Sequence, residues 1–198
     1  NNVFAPTLDG CAERSHQVRN GITTETHGDE IANLLFYEDI KDAVLVGTSC
    51  GGMVMAKAAE LAPHRVKRLV FADALALMDG ERISDFVNRE TAINTELTSG
   101  PPKHDVVNRL FKDLEEPTKS WAVERYTMQP IACMENAVEL KEFWSLPWEA
   151  SVVYCSESVN PPKSHQERAA STLGARWHEI PTGHYPMLSE PMALAQII

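Results

Sequence analysis

Ser49 stands at the centre of "VLVGTSCGGMVMAKAAEL", residues 44–61, within Gly47-Thr48-Ser49-Cys50-Gly51, a G-x-S-x-G match followed by Gly52. An apolar run precedes it and a segment with helical spacing comes after it. That context predicts a sharp strand-to-helix turn, which holds its central residue in a strained backbone and needs small neighbours. Such a turn lifts the serine hydroxyl clear of the sheet at a helix N-terminus. There the free N–H of the next residue can stabilise an oxyanion. A structural tight turn is the bland alternative. Cys50 is reactive in type, but the small residues at 47 and 51 are centred on 49. Ser49 is therefore the candidate nucleophile, and Cys50 a donor through its backbone N–H to an oxyanion hole.

A serine nucleophile needs a base. The chain has seven histidines: His16, His27, His64, His104, His165, His178 and His184. Surface roles suffice for His27 and His64 near helix ends and for His104 in a Pro-rich loop, while His178 falls inside the last expected strand. His184, in "PTGHYP", comes after Gly183 in a loop leaving that strand. This is the end of a parallel sheet where the Ser49 turn also lies, and where open α/β sheets build their sites. A carboxylate should orient the imidazole. Two candidates leave strand ends at the same rim, Glu157 after "VVYCS" and Asp73 after "RLVFA". The order serine, acid, histidine holds for both, with Glu157 slightly preferred.

These residues require strands that end together. "DAVLVGTS", "VKRLVFADAL" and "ASVVYCSE" are apolar runs of the kind that a parallel sheet buries on both faces. "ARWHEIPTGH" is expected as a further strand, and "NVFAPTLDG" to start as a short one. "THGDEIANLLFYED" places Ile31, Leu34 and Leu35 on one helical face with Thr26 as N-cap. "CGGMVMAKAAELAPHR" reads as a helix closed by Pro63, and "SEPMALAQII" as a terminal helix with Ser189 as N-cap and Pro191 in its first turn. Alternating strands and helices predict an α/β fold, one three-layer domain over residues 1–198 with a mostly parallel sheet. Between about 80 and 146 helical segments near 82–97, 104–114, 118–127 and 131–143 are expected to succeed one another without a strand, as a cap insertion. Its Trp121, Trp144, Trp148, Phe86, Phe111, Met128 and Met134 are either core of the cap or the lining of an apolar pocket.

Composition narrows the function classes. With 198 residues, 43% hydrophobic content and a net charge of −10, the chain suits neither nucleic acid nor an anionic membrane. No apolar run approaches the roughly 20 residues of a membrane span, and the first residues do not read as a signal peptide. The four cysteines, Cys11, Cys50, Cys133 and Cys155, show no CxxC pair or metal-ligand spacing. A reduced, cytoplasmic protein is expected. Without HExxH, a P-loop or GxGxxG, no metal or cofactor is expected.

Three stretches, "APTLDGCAERSH", "AVLVGTSCGGMVMAKAAELAPHRVKRLVFADAL" and "EIPTGHYPMLSEP", resemble the α/β-hydrolase superfamily. Within it they are similar to compact esterases such as plant methyl-ester esterases and hydroxynitrile lyases. The resemblance spans nearly the whole chain and is weakest in the cap. It implies that Ser49 is the nucleophile, that His184 is the base, and that a small apolar carboxylic ester or lactone is hydrolysed through an acyl-enzyme by a monomer or homodimer. Departures are visible. Thr48 and Cys50 flank the serine where the family has His and an aromatic or Leu. Ser158 occupies the usual place of the acid, with Glu157 one residue earlier, while some members carry the acid after the strand next to the elbow in sequence, where Asp73 stands. The family's first strand, with the loop that completes the oxyanion hole, has no counterpart. The strand is expected between the "VFAPT" and "AVLVG" strands, supplied by residues outside this sequence or by another segment. Two alternatives accompany the esterase: a hydroxynitrile-lyase-like C–C lyase, for which Lys103 and Lys141 are the cap cations, and a non-catalytic binding protein.

Overall fold

A computed structural model describes residues 2–198. The first long element, α1 (Thr24–Tyr37), is followed by β1 (Ala43–Ser49), α2 (Gly51–Leu61) and β2 (Val66–Ala74). An inserted region then holds β3 (Ile93–Asn94), β4 (Thr98–Gly100), α3 (Lys103–Asp105), a π-helical turn Val106–Leu110, α4 (Thr118–Arg125), β5 (Gln129–Pro130) and α5 (Ile131–Glu135). The main unit resumes with β6 (Ala150–Cys155), α6 (Lys163–Leu173), β7 (Arg176–Ile180), α7 (Pro186–Ser189) and α8 (Pro191–Ile197). Strands β1, β2, β6 and β7 form a wholly parallel sheet in the order β1-β2-β6-β7, so their C-terminal ends share one rim.

The two central strands carry the core. Residues Leu69 to Ala74 of β2 are all buried, as are Val152, Val153 and Cys155 of β6. Ala56, Ala58 and Ala59 give α2 a small-residue face that seats it closely over the sheet. Met53, Phe71, Leu77 and Phe143 belong to one cluster, so the end of the insertion is part of the main core. Trp144 donates its indole N–H to the Leu77 carbonyl at 3.0 Å, and Trp148 donates to the Phe143 carbonyl at 2.8 Å.

Several elements differ from expectation for identifiable reasons. The β1 run is apolar yet not covered on both faces: Val44 and Val46 are about 40% exposed (39% and 43%), because among the described residues β1 pairs only with β2 and forms the sheet edge. Residues 2–8 form no strand; Val3 and Phe4 are exposed. In α1 the N-cap is Thr23, with Thr26 as its reciprocal partner in a capping box. Glu190 rather than Ser189 precedes α8.

The insertion contains strands as well as helices, β3-β4-β5 forming a small antiparallel sheet. Residues 82–97 are not a helix beyond a short turn at Ile83–Asp85. Their polar side chains take up backbone groups locally: Asn88 Oδ1 accepts from Glu90 N–H, and Thr95 Oγ1 from Leu97 and Thr98 N–H. The segment after α5 is extended because its backbone bonds elsewhere, Val138 N–H to the Glu81 carbonyl and Leu140 N–H to Asp79 Oδ1, both at 2.9 Å.

Gly52 lets α2 start directly against the end of β2. A Cβ there would lie inside contact distance of the Leu75 carbonyl oxygen and 2.9 Å from the Ala74 Cβ, whereas one on Gly51 would meet nothing within 4 Å. Gly52→Ala is therefore expected to cost about 1–3 kcal/mol. At roughly 2–4 °C in Tm per kcal/mol for a chain of this size, calorimetry separates it from a near-neutral Gly51→Ala.

Candidate active site

Strand β1 ends on Ser49, whose φ of 53° lies in the left-handed region that non-glycine residues seldom occupy. Cys50 is the N-cap of α2, accepting from Met53 N–H at 3.1 Å, and the Ser49 carbonyl accepts from Leu75 N–H at 2.9 Å. The serine is thus anchored to the neighbouring strand by its backbone, with its side chain at the start of α2. Among the described residues, its hydroxyl makes no hydrogen bond to His184. Burial pushes the Cys50 thiol up, the direction that disfavours thiolate.

Asp73 lies on the adjacent strand. The ladder pairs Thr48 with Ala72 but Ser49 with Ala74, so Asp73 is the extra residue of a bulge. Its φ of 48° is also left-handed. Bulges re-aim a side chain, and here the carboxylate is fully buried with partners on both oxygens. His184 donates from Nδ1 to Asp73 Oδ2 at 2.6 Å, and Gln166 of α6 donates from Nε2 to Oδ1 at 2.7 Å. Gln166 is itself buried and also donates to the Pro161 carbonyl at 3.1 Å.

Of the two candidate acids, the structure brings Asp73 and not Glu157 to the His184 ring. The Glu157 side chain is exposed and His184 bonds Asp73 instead; the Glu157 backbone N–H donates to the Thr182 carbonyl of the histidine loop at 3.0 Å. Sequence reasoning missed Gln166, an amide in a polar helix whose partner is 93 residues away. It also missed two buried histidines. His27 is 2% exposed and its Nε2 lies 2.8 Å from the Asp9 carbonyl oxygen, so a surface role does not describe it. His165, next to Gln166, accepts from Ala76 N–H through Nε2 at 2.9 Å and lies against the Phe86 ring.

A recess beside His184 is lined by Arg109, Leu110, Lys112, Glu157, Val159 and Asn160. None of the cap tryptophans, phenylalanines and methionines expected as pocket candidates lines it. Phe111 packs on Tyr185, Trp144 and Trp148 pack with Phe143, and Trp121 is half exposed beneath Arg125. Lys103 and Lys141 are exposed and do not line it either; the cations there are Arg109 and Lys112. Among the described residues no group of three His, Cys, Asp or Glu side chains is placed to hold a metal, and no helix is long and apolar enough to cross a membrane.

A family model described as "Alpha/beta hydrolase family" matches residues 1–197. The chain belongs to the α/β-hydrolase family. Similar solved structures include an extracellular α/β-hydrolase from a Paenibacillus species, with TM-score 0.81 and 22% identity over 98% of this chain and 84% of that one. A pyrethroid hydrolase from Sphingobium faniae JZ-2 also superposes at TM-score 0.81, with 16% identity over 98% of this chain and 83% of its own. Among curated relatives, the carbendazim hydrolyzing esterase of Nocardioides sp. (strain SG-4G) is 32% identical over 81 residues, which are 41% of this chain and 34% of that esterase. The chain thus spans about a third of that relative's length.

The way the chain holds its buried polar groups gives two expectations for stability. Gln166→Ala removes the donor from Asp73 Oδ1 inside the core, an expected loss of about 1–3 kcal/mol by urea denaturation. Burial, with a smaller contribution from the Arg168 charge, holds His165 down to about 4 against an ordinary 6.5. Between those values the unfolded chain binds a proton that the folded chain refuses, so stability falls as pH drops across that window. Denaturant midpoints measured through it should fall less steeply in His165→Gln.

Proposed function

We propose that the chain is a serine esterase that cleaves a small carboxylic ester or lactone through an acyl-enzyme. The observation that carries this reading is the coincidence of Ser49, in a left-handed conformation at the head of α2, with a His184–Asp73 bond of 2.6 Å on the same sheet rim. Strain in a non-glycine residue persists only where its surroundings over-determine it, and it clusters at sites of chemistry.

In this reading Ser49 Oγ attacks the ester carbonyl and passes its proton to His184 Nε2. Asp73 holds the ring by Nδ1–H and stabilises the imidazolium that forms. The negative charge on the carbonyl oxygen is met by Cys50 N–H at the start of α2. His184 then protonates the departing alkoxide. Water, deprotonated by the same nitrogen, attacks the acyl-serine; the acyl C–Oγ bond then breaks, Ser49 Oγ takes the proton back from Nε2, and the acid is released. Hydrolytic relatives lend support: the Nocardioides protein is described as an esterase and the Sphingobium protein as a pyrethroid hydrolase. Four unpaired thiols favour a reducing compartment such as the cytoplasm.

The test is turnover of p-nitrophenyl acetate together with labelling by a fluorophosphonate probe. Ser49→Ala should abolish both. Asp73→Asn should lower kcat by on the order of 10⁴ through the wrong imidazole tautomer, while Glu157→Gln stays near the parent. Labelling that survives in Ser49→Ala, or a large loss confined to Glu157→Gln, would sink the assignment. Release of cyanide from mandelonitrile without ester turnover would point to a lyase instead.

A further inference from the structure

Gly183 is a glycine for a reason that its own backbone does not supply. Its φ is outside the left-handed region, so any residue could adopt the conformation. What excludes a side chain is Asp113, on the segment just after the π-helical turn in the insertion. A Cβ on Gly183 would lie 2.5 Å from the Asp113 Cγ and 2.6 Å from its Oδ2. The carboxylate occupies that space to bind the loop: Oδ2 accepts from Gly183 N–H at 2.8 Å and from Thr182 Oγ1 at 3.1 Å. Thr182 Oγ1 is in turn 2.5 Å from Ser189 Oγ, so the contact reaches α7.

Apolar packing reinforces the same junction. Val106, Phe111, Leu114 and Ala122 of the insertion form a cluster that includes Tyr185 and Leu188 from beyond β7. The Phe111 and Tyr185 rings are 5.0 Å apart, and Tyr185 meets the His184 ring edge-on at 4.8 Å. The insertion therefore grips the residues on both sides of His184, by charge-assisted hydrogen bonds before it and by aromatic packing after it.

From this geometry we propose that Asp113 is a positioning residue: it ties the insertion to the Thr182–His184 loop, so that seating of the insertion sets the placement of the imidazole. The proposal rests on the reading of His184 as the base. Its energetic logic is orientational, since a displacement of about 1 Å at a catalytic group can cost about 100-fold in rate. Asp113 bonds Gly183 N–H and Thr182 Oγ1 rather than the imidazole itself, so its loss should act on kcat and leave KM nearly unchanged.

The experiment compares Asp113→Ala, Asp113→Asn, Gly183→Ala and the double variant Asp113→Ala/Gly183→Ala in the full chain. Two readouts are used: p-nitrophenyl acetate kinetics and the downfield proton resonance of His184 Nδ1–H. Asp113→Ala should lower kcat by up to about 100-fold and broaden the resonance. Asp113→Asn, which keeps an amide oxygen in the acceptor position, should recover most of both. Gly183→Ala should resemble Asp113→Ala, and the double variant should be no worse than either, because the clash and the bond share one partner.

Parent-like kcat and resonance in Asp113→Ala overturn the coupling, as do losses that multiply in the double variant. Should Asp113→Ala not fold, Gly183→Ala decides: an unchanged kcat and resonance there also overturn it. Failure of the esterase reading looks different, as turnover that survives Ser49→Ala, and the resonance reports the loop whether or not an ester is consumed.

Discussion

A carboxylate shut away from solvent is costly to keep charged unless hydrogen bonds replace the water it has lost. Asp73 meets that condition, and much of the molecule is arranged around it. One oxygen takes the His184 imidazole and the other the Gln166 amide, which brings the loop beyond β7 and the first turns of α6 to the end of β2. The ladder slips beside Ser49 to release Asp73 from pairing, so the serine and the carboxylate arise from one irregularity in one strand pair. His165 and Gln166 are consecutive on α6, and both reach β2 or the residues just past it. Their placement fixes the helix at the rim more firmly than its polar sequence would.

Two adjacent non-glycine residues with left-handed backbones are costly, of order 1–3 kcal/mol each. The offset lies in the packing beneath them. Residues Leu69 to Ala74 are buried without interruption, and α2 lays a face of alanines on the sheet, so relaxing either backbone would disturb a core with no room to rearrange. Local backbone strain and core packing are therefore balanced within the same two strands. The edge position of β1 sharpens this. Ser49 is held from one side only, by the β2 ladder and the Leu75 bond, which makes the Gly52 contact with Leu75 part of what keeps the elbow in place.

The elbow was legible in the sequence because its signal is local: small residues around one serine, an apolar run before and a helical pattern after. The order of strands is not local, and it decided what the sequence could not. "AVLVG" reads as a doubly covered strand, yet its valines are exposed because it lies at an edge. Asp73 and Glu157 looked alike, each an acid at the end of an apolar run. The difference lies in a one-residue slip of register and an amide on a distant helix. In the insertion the helical expectation failed where Asn88 and Thr95 bond their neighbours' backbone, a competition that composition hints at but does not settle. Asp113 carried no motif of its own; Gly183 was the trace of it, as a glycine whose backbone asks for none.

The carboxylate bonded to His184 comes from β2, and the loop after β6 serves as a brace. Ser156 N–H donates to the Ile180 carbonyl and Glu157 N–H to the Thr182 carbonyl, both at 3.0 Å, so the β6–β7 pairing continues past the strand into the histidine loop. Ser158 turns its hydroxyl to the Asn160 carbonyl at 3.1 Å, bracing the loop internally. The His184 loop is thereby held by backbone bonds from β6 on one side and by the Asp113 carboxylate on the other, while Asp73 orients the ring from within the sheet. His184 and its loop are thus bonded from three separate parts of the chain, the insertion, the β6 extension and the β2 bulge.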